Sequence, residues 1–98
     1  METKFTRTFM MRIEDRFDIA GKGVVVTGQV AVGEVKVGES VCLTDSCGNI
    51  KIVKIRGIEQ FSKQLDSACS GSNVGVVLEG ITKSEISSGD LLYKISIK

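Results

Sequence analysis

An all-β fold, its strands paired antiparallel in a barrel or a sandwich, is what this sequence predicts from three observations. Short β-branched runs recur along the chain, as in VVVT at residues 24–27 and VGVVL at residues 74–78. Eleven glycines punctuate them at turn-like intervals, with no proline anywhere. No segment carries a sustained 3.6-residue apolar repeat, so about six short strands joined by glycine turns account for the pattern. Residue pattern alone leaves barrel and sandwich equally open.

Taken in order, residues 1–7 are polar and are expected to be a flexible N-terminus. Residues 8–98 then form one domain, in keeping with a length of 98. Phe9, Met10 and Met11 lead the first strand. Residues 13–30, IEDRFDIAGKGVVVTGQV, organise the rest of the chain. Adjacent carboxylates Glu14 and Asp15 precede a lone aromatic, Phe17. Gly21 and Gly23 flank Lys22 and turn the chain into the β-branched run, which reads as a hairpin with a charged rim. Phe17 has two readings: a cover over the barrel end, or a partly exposed platform for a ligand.

In residues 24–32, Val24, Val26, Gly28, Val30 and Val32 are expected on one face, and Val25, Thr27, Gln29 and Ala31 on the other. A strand apolar on both faces is central in a sheet or covered by a partner. Gly33-Glu34 is expected to end it. Gly38 marks a tight turn or a bulge between Val35/Val37 and Val41/Leu43. Residues 45–49, DSCGN, read as a hairpin tip. The next strand, residues 50–58, breaks alternation, because Ile50 and Ile52 face one way and Val53 and Ile55 the other. A bulge between the pairs, or exposure of one of them, would explain this. Lys51, Lys54 and Arg56 on that strand read as a solvated face or edge protection rather than an RNA track. Residues 57–68 are expected to be a loop crossing the barrel end. Residues 74–78 form another strand, residues 83–86 a short turn or single helical turn, and residues 91–95 the last strand.

Composition removes several function classes. The chain has no histidine, which takes away the commonest general base and zinc ligand. Thirteen Lys+Arg against twelve Asp+Glu give a net charge of +1, without the cationic excess of a phosphate-gripping protein. Cys42, Cys47 and Cys69 form no CxxC pair and have no histidine to activate them, so reduced intracellular thiols are expected. The AGKG of residues 20–23 is not a P-loop, since GxxxxGK[ST] and its helix are missing. DxxG and NKxD are absent as well, so no GTP binding or hydrolysis by this chain alone is expected. No cofactor and no metal site are indicated. The N-terminus lacks a signal-peptide core and no run approaches ~20 apolar residues. A soluble, cytoplasmic, non-enzymatic protein is expected, and Met1 with no linker-like tail points to a natural short protein.

Several separated motifs then share one resemblance. Residues 13–30, AVGEVKVGESV at residues 31–41, the Gly57-Ile58-Glu59…Phe61…Lys63 series, NVGVVLEGI at residues 73–81, and Ile86, Gly89, Leu91 and Leu92 recur in order. Together they resemble the second domain of elongation factor Tu and its relatives, the β-barrel that follows the GTP-binding domain in translational GTPases. The resemblance spans roughly residues 9–95 and resolves the fold class to a closed six-stranded antiparallel Greek-key β-barrel. It implies a non-catalytic module associated with translation, with aminoacyl-tRNA, the ribosome or a translational GTPase as partners. It also implies a site for a tRNA 3′ end. Residues matching Glu14, Asp15, Phe17 and Thr27 lie around the aminoacyl group and terminal adenosine, Glu59 meets the adenine, and Asn73 and Val74 flank the pocket. Carboxylate acceptors beside a flat apolar surface suit an unpaired adenosine and an amino group. Two positions depart from the pattern: Gln29 and Ser62 stand where the family has arginines. The competing reading is a protein–protein adaptor that keeps the barrel and not RNA binding.

Overall fold

The computed structural model describes residues 5–97 as one sheet system of nine strands. These are β1 (Phe5–Arg12), β2 (Asp15–Ile19), β3 (Gly23–Lys36), β4 (Ser40–Thr44), β5 (Ile50–Gln60), β6 (Lys63–Leu65), β7 (Ser67–Cys69), β8 (Asn73–Glu79) and β9 (Leu91–Ile97). The only helical element among the described residues is a 3-10 turn, Lys83–Glu85. Accordingly, no helix among these residues is long and apolar enough to cross a membrane.

Six strands close a barrel in the order β1-β9-β4-β5-β8-β3, with β3 pairing back onto β1. Every pairing is antiparallel and neighbours are mostly not sequential, which is the Greek-key arrangement. Short strands extend the wall: β2 pairs with the first half of β3, β7 with its last residues, and β6 with β5. Alternate residues point inward. Phe9, Met11, Val26, Val30, Val35, Val41, Val53, Ile55, Ile58, Val76 and Leu92 are each no more than 2% exposed and form the core.

Glycine permits the closure. At the β1–β3 seam Gly33 has φ +72°, and a Cβ there would lie 1.8 Å from the Thr8 carbonyl oxygen. Gly28 is as crowded, with a Cβ falling 2.3 Å from the Arg12 carbonyl oxygen. Two backbones pass closer than any side chain allows.

Local irregularities decide which residues reach the core. The β1–β3 register shifts between Met10 and Met11, so that Met11 opposes Val30 while Met10 opposes Val32. That bulge turns Val32 outward, 39% exposed, which corrects its expected place on the inner face with Val30. In β5 the bulge lies between Ile55 and Gly57, and it returns Ile58 to the core. Ile50 and Ile52 are the exposed pair, at 60% and 65%.

Three further expectations change. β3 does not end at Gly33-Glu34; it runs on to Lys36 because β7 supplies a new partner. Residues 57–68 are not a loop: β5 continues to Gln60, turns tightly and returns as β6, followed by β7. The first strand starts at Phe5, inside the segment expected to be flexible, and residues 1–4 lie outside the described residues. The hairpin tip at Asp45 is as read, its carboxylate accepting the N–H groups of Cys47 and Asn49 at 2.9 Å each. The Gly38 turn also stands, with φ +94° and the Glu39 N–H bonded to the Lys36 carbonyl at 3.2 Å.

The connection from β1 to β2 carries Ile13 into the core while joining it to the start of β9. Ile13 N–H donates to the Asp90 carbonyl at 2.8 Å, and Gly89 N–H to the Ile13 carbonyl at 2.7 Å. Asp90, the buried charged residue at 5% exposure, accepts the Ser87 N–H at 2.9 Å. Glu14 is thereby held at the start of β2, where its N–H bonds the Thr27 carbonyl at 2.8 Å.

Candidate functional site

Cross-strand register gathers the predicted residues. Reading outward-facing positions across β2, β3, β8, β5 and β6, Asp15 opposes Thr27, Thr27 opposes Gly75, Gly75 opposes Glu59, and Glu59 opposes Gln64. Residues far apart in sequence become neighbours at the ~4.8 Å strand spacing. The next outward row is Phe17, Val25, Val77 and Gly57. Val25 and Val77 are only 4% and 6% exposed, yet they stand outside the barrel core. They form an apolar row beside the site, and Val77 and Gly57 line a neighbouring cleft.

The centre of the first row is a gap. Gly75 has no side chain, and a Cβ there would touch Val25 Cγ1 at 3.3 Å. Around this gap lies an open cavity of about 250 Å3, lined by Glu14, Thr27, Gly28, Glu59, Gln60, Phe61, Asn73, Val74 and Gly75. Five of the seven predicted residues thus share one cavity: Glu14, Thr27, Glu59, Asn73 and Val74. Val74 contributes backbone, because its side chain is buried in the core. Asp15 and Phe17 are not in the cavity wall. Asp15 lies beyond Thr27 at the end of the row, its Oδ1 accepting the Arg16 N–H at 2.8 Å. Phe17 flanks the neighbouring row at 44% exposure, which matches the platform reading better than a core cover.

Phe61 belongs to the resemblance motif but is not among the expected site residues. With Ser62 it forms the two-residue turn between Gln60 and Lys63, both at positive φ (50° and 63°). Such turns favour Asn-Gly or Gly-Gly, and a phenylalanine there carries strain. Its ring is 89% exposed at the cavity rim. A readable signal did exist for Gly75, a lone glycine inside a strand pattern. None exists for Phe61, since Phe-Ser is no turn signature.

Polar contacts fix the rim. Gln60 Nε2 donates to the Asn73 carbonyl at 3.0 Å, tying β5 to the start of β8. Gln29, opposite Asn73, donates Nε2 to the Gly71 carbonyl at 3.0 Å. Where an arginine would project a charge, Gln29 braces a turn. Glu59 is ion-paired with Lys22. The arrangement offers carboxylate, amide and hydroxyl acceptors around a flat, glycine-floored surface, with an exposed aromatic on one side. Acceptors and an apolar surface of this kind suit a planar heterocycle or an amine. Among the described residues no cluster of His, Cys, Asp or Glu could hold a metal ion.

A family model described as elongation factor Tu domain 2 matches residues 23–93. The match begins at the first residue of β3 and ends at Tyr93 in β9. It takes in Thr27, Glu59, Phe61, Asn73 and Gly75, and stops short of Glu14, Asp15 and Phe17.

Proposed function

Because the chain belongs to the elongation factor Tu domain 2 family, a translation-associated β-barrel, we propose that it is a cytoplasmic binding module for the unpaired 3′ end of aminoacyl-tRNA. The observation that carries this reading is the Asp15–Thr27–Gly75–Glu59 row and the cavity around Gly75. A terminal adenine lies on the Gly75 floor, Glu59 accepts one of its N–H or ribose O–H groups, and Phe61 covers the exposed ring face. Glu14 and Asp15 face the aminoacyl amine. A ribosome or a translational GTPase supplies the remaining surface. The module binds and does not catalyse.

The test is an amide-resolved NMR titration with a short aminoacylated CCA-end mimic, the deacylated mimic serving as control. Shifts clustered at Thr27, Glu59, Phe61, Asn73 and Gly75, larger for the aminoacylated form, support the reading. Flat spectra at millimolar ligand refute it.

A second reading, a protein–protein adaptor, has its own observation. On a different face, Val32, Met10, Tyr93, Cys42 and Ile52 form one outward row across β3, β1, β9, β4 and β5. Barrel exteriors are ordinarily polar, and a contiguous apolar row favours a protein contact. The net charge of +1 and the loss of two arginines agree with it. An adaptor would bind its protein partner unaltered when Gly75 and Glu59 are replaced, and would lose it when Ile52 becomes lysine.

A further inference from the structure

Glu59 stands between two cavities. One is the open site above. The other is a cleft of about 260 Å3 facing the β2–β3 turn, with Lys22, Arg56, Gly57 and Leu65 among its walls. The carboxylate does not swing freely between them, because the Lys22 ammonium is paired to its Oε1. The pair is partly sheltered, with the Glu59 side chain 21% exposed and that of Lys22 43%.

Lys22 is itself held. It lies between two left-handed glycines, Gly21 and Gly23, with φ of 81° and 107°. The turn is closed by the Lys22 N–H donating to the Ile19 carbonyl at 2.9 Å. Arg56 Nη1 reaches the Lys22 carbonyl at 3.5 Å. The tip of the β2–β3 hairpin is therefore fastened to β5 twice, through Arg56 and through Glu59. These contacts fix the Lys22 backbone beside Glu59.

We infer that Lys22 is a positioning residue for the candidate site, acting through Glu59 on a bound nucleoside. The inference rests on the nucleoside-binding reading above. A carboxylate has about four lone-pair positions over two oxygens. With Oε1 held by Lys22, Oε2 has no protein donor among the described residues and is left for a ligand N–H or O–H. Ordering a three-torsion side chain at the moment of binding costs entropy, and Lys22 removes that cost beforehand. It also sets selectivity. With a counter-charge already in place, Glu59 serves a neutral donor such as an adenine amine or ribose hydroxyl. Without it, a bare carboxylate favours any cation.

The experiment compares wild type, Lys22→Met and Lys22→Arg by NMR titration with deacylated CCA trinucleotide, and with a cationic probe, putrescine. Gly75 and Asn73 amides report binding, and thermal melting controls for fold. Lys22→Met is expected to bind the trinucleotide about 3–10-fold more weakly, the loss of one pre-ordered side chain. Lys22→Arg is expected to recover to within about twofold. Putrescine binding is expected to strengthen in Lys22→Met, since Glu59 then lacks its counter-charge. Weaker trinucleotide binding at an unchanged melting temperature is what a merely structural role for Lys22 would not produce. Lys22→Gln, which keeps most of the stem, repeats the comparison should the methionine variant lower the melting temperature. Equal or tighter trinucleotide binding by Lys22→Met and Lys22→Gln overturns the inference while leaving the nucleoside reading in place. Absence of shifts at Gly75 and Asn73 in wild type itself removes that reading, and the inference falls with it.

Discussion

Gly75→Ala puts the candidate site at risk without threatening the barrel. The residue sits mid-strand in β8 with a backbone that L residues adopt freely, since its φ is not among the positive values. The added methyl would meet Val25 Cγ1 at 3.3 Å and the Glu59 carbonyl oxygen at 4.0 Å. The first contact is tight by a few tenths of an ångström, and Val25 is on the outer row rather than in the closed core. Gly→Ala at a compatible position stabilises by about 0.4–1 kcal/mol through the unfolded chain. A mild overpacking of similar size opposes it. The net stability change should therefore lie within about 1 kcal/mol of zero. Binding should respond far more, because the methyl rises into the middle of the Asp15–Thr27–Gly75–Glu59 row and lifts any flat ligand off its floor. Loss of one base-sized stacking contact is worth about 1–3 kcal/mol, or roughly 5–150-fold in Kd. Urea melts and a CCA-mimic titration measure the two quantities on one sample. Wild-type affinity in a well-folded Gly75→Ala would show that the ligand does not rest on this row. A destabilisation beyond about 3 kcal/mol would show that Val25 cannot yield and that the glycine is structural.

Contrasts in stability are sharper elsewhere in the barrel. Gly33→Ala combines a left-handed φ of +72° with a Cβ 1.8 Å from the Thr8 carbonyl oxygen, so the β1–β3 seam must part. A loss of about 3 kcal/mol or more is expected by urea denaturation, and a loss under about 1 kcal/mol would contradict the closed seam. Ile52→Thr should change stability by less than about 0.5 kcal/mol, whereas Ile55→Ala should cost about 2–5 kcal/mol, because the two face opposite sides of β5. Equal costs would mean that the strand is registered wrongly. Acid stability should depend on Glu39. Burial pushes its carboxyl up, but the Lys94 hydrogen bond, the Lys36 N–H and the nearby lysine charges together outweigh that and hold it below the ordinary 4.5. A carboxyl depressed on folding stabilises fully above its unfolded value and loses that contribution as pH falls through the folded one. Lys94→Met should accordingly flatten the decline in melting temperature below about pH 4.5, and an unchanged pH profile would count against the pair.

Most of the barrel was legible because its signals are local. Glycines at 21, 23, 38, 48, 71 and 89 mark turns and all take positive φ. The β-branched runs at β3 and β8 mark strands that are mutually paired. What escaped depends on pairings that no short window contains. Val32 faces outward only because β1 slips by one residue against β3. β3 passes Gly33 only because β7 arrives from residues 67–69 to pair with it. The β5–β6 hairpin turns on Phe61-Ser62, which lacks turn chemistry and is held in place by flanking pairs from Gln60 to Lys63. The site divides in the same way. Glu14, Thr27, Glu59, Asn73 and Val74 are implied by the family resemblance, not by local pattern, and they line one cavity. The exposed place of Phe61 is hidden because its strained turn is a tertiary product. Gly75, by contrast, shows in sequence as a lone strand glycine whose missing side chain gains its meaning beside Val25.

The way the row is built bears on how strongly it could bind. Each member is placed by strand pairing, so the spacing between Thr27, Gly75 and Glu59 is as rigid as the sheet itself. Selectivity can therefore reside in this chain alone. Affinity is another matter. Small-molecule pockets usually enclose 70–90% of a ligand within about 300–1,000 Å3, whereas this cavity holds about 250 Å3 and is open on one side. A nucleoside resting there keeps one face in water, apart from whatever Phe61 covers. On the proposed reading such a ligand exchanges rapidly until a second surface closes over it. That surface then contributes mainly to koff, because the acceptors on this side are already in place. A ligand held weakly by the chain alone, with shifts confined to the Gly75 row and fast exchange at every concentration, is the behaviour this geometry requires. Tight binding in slow exchange would mean that the ligand had found a more enclosed place, and the cleft beyond Glu59 would be where to look.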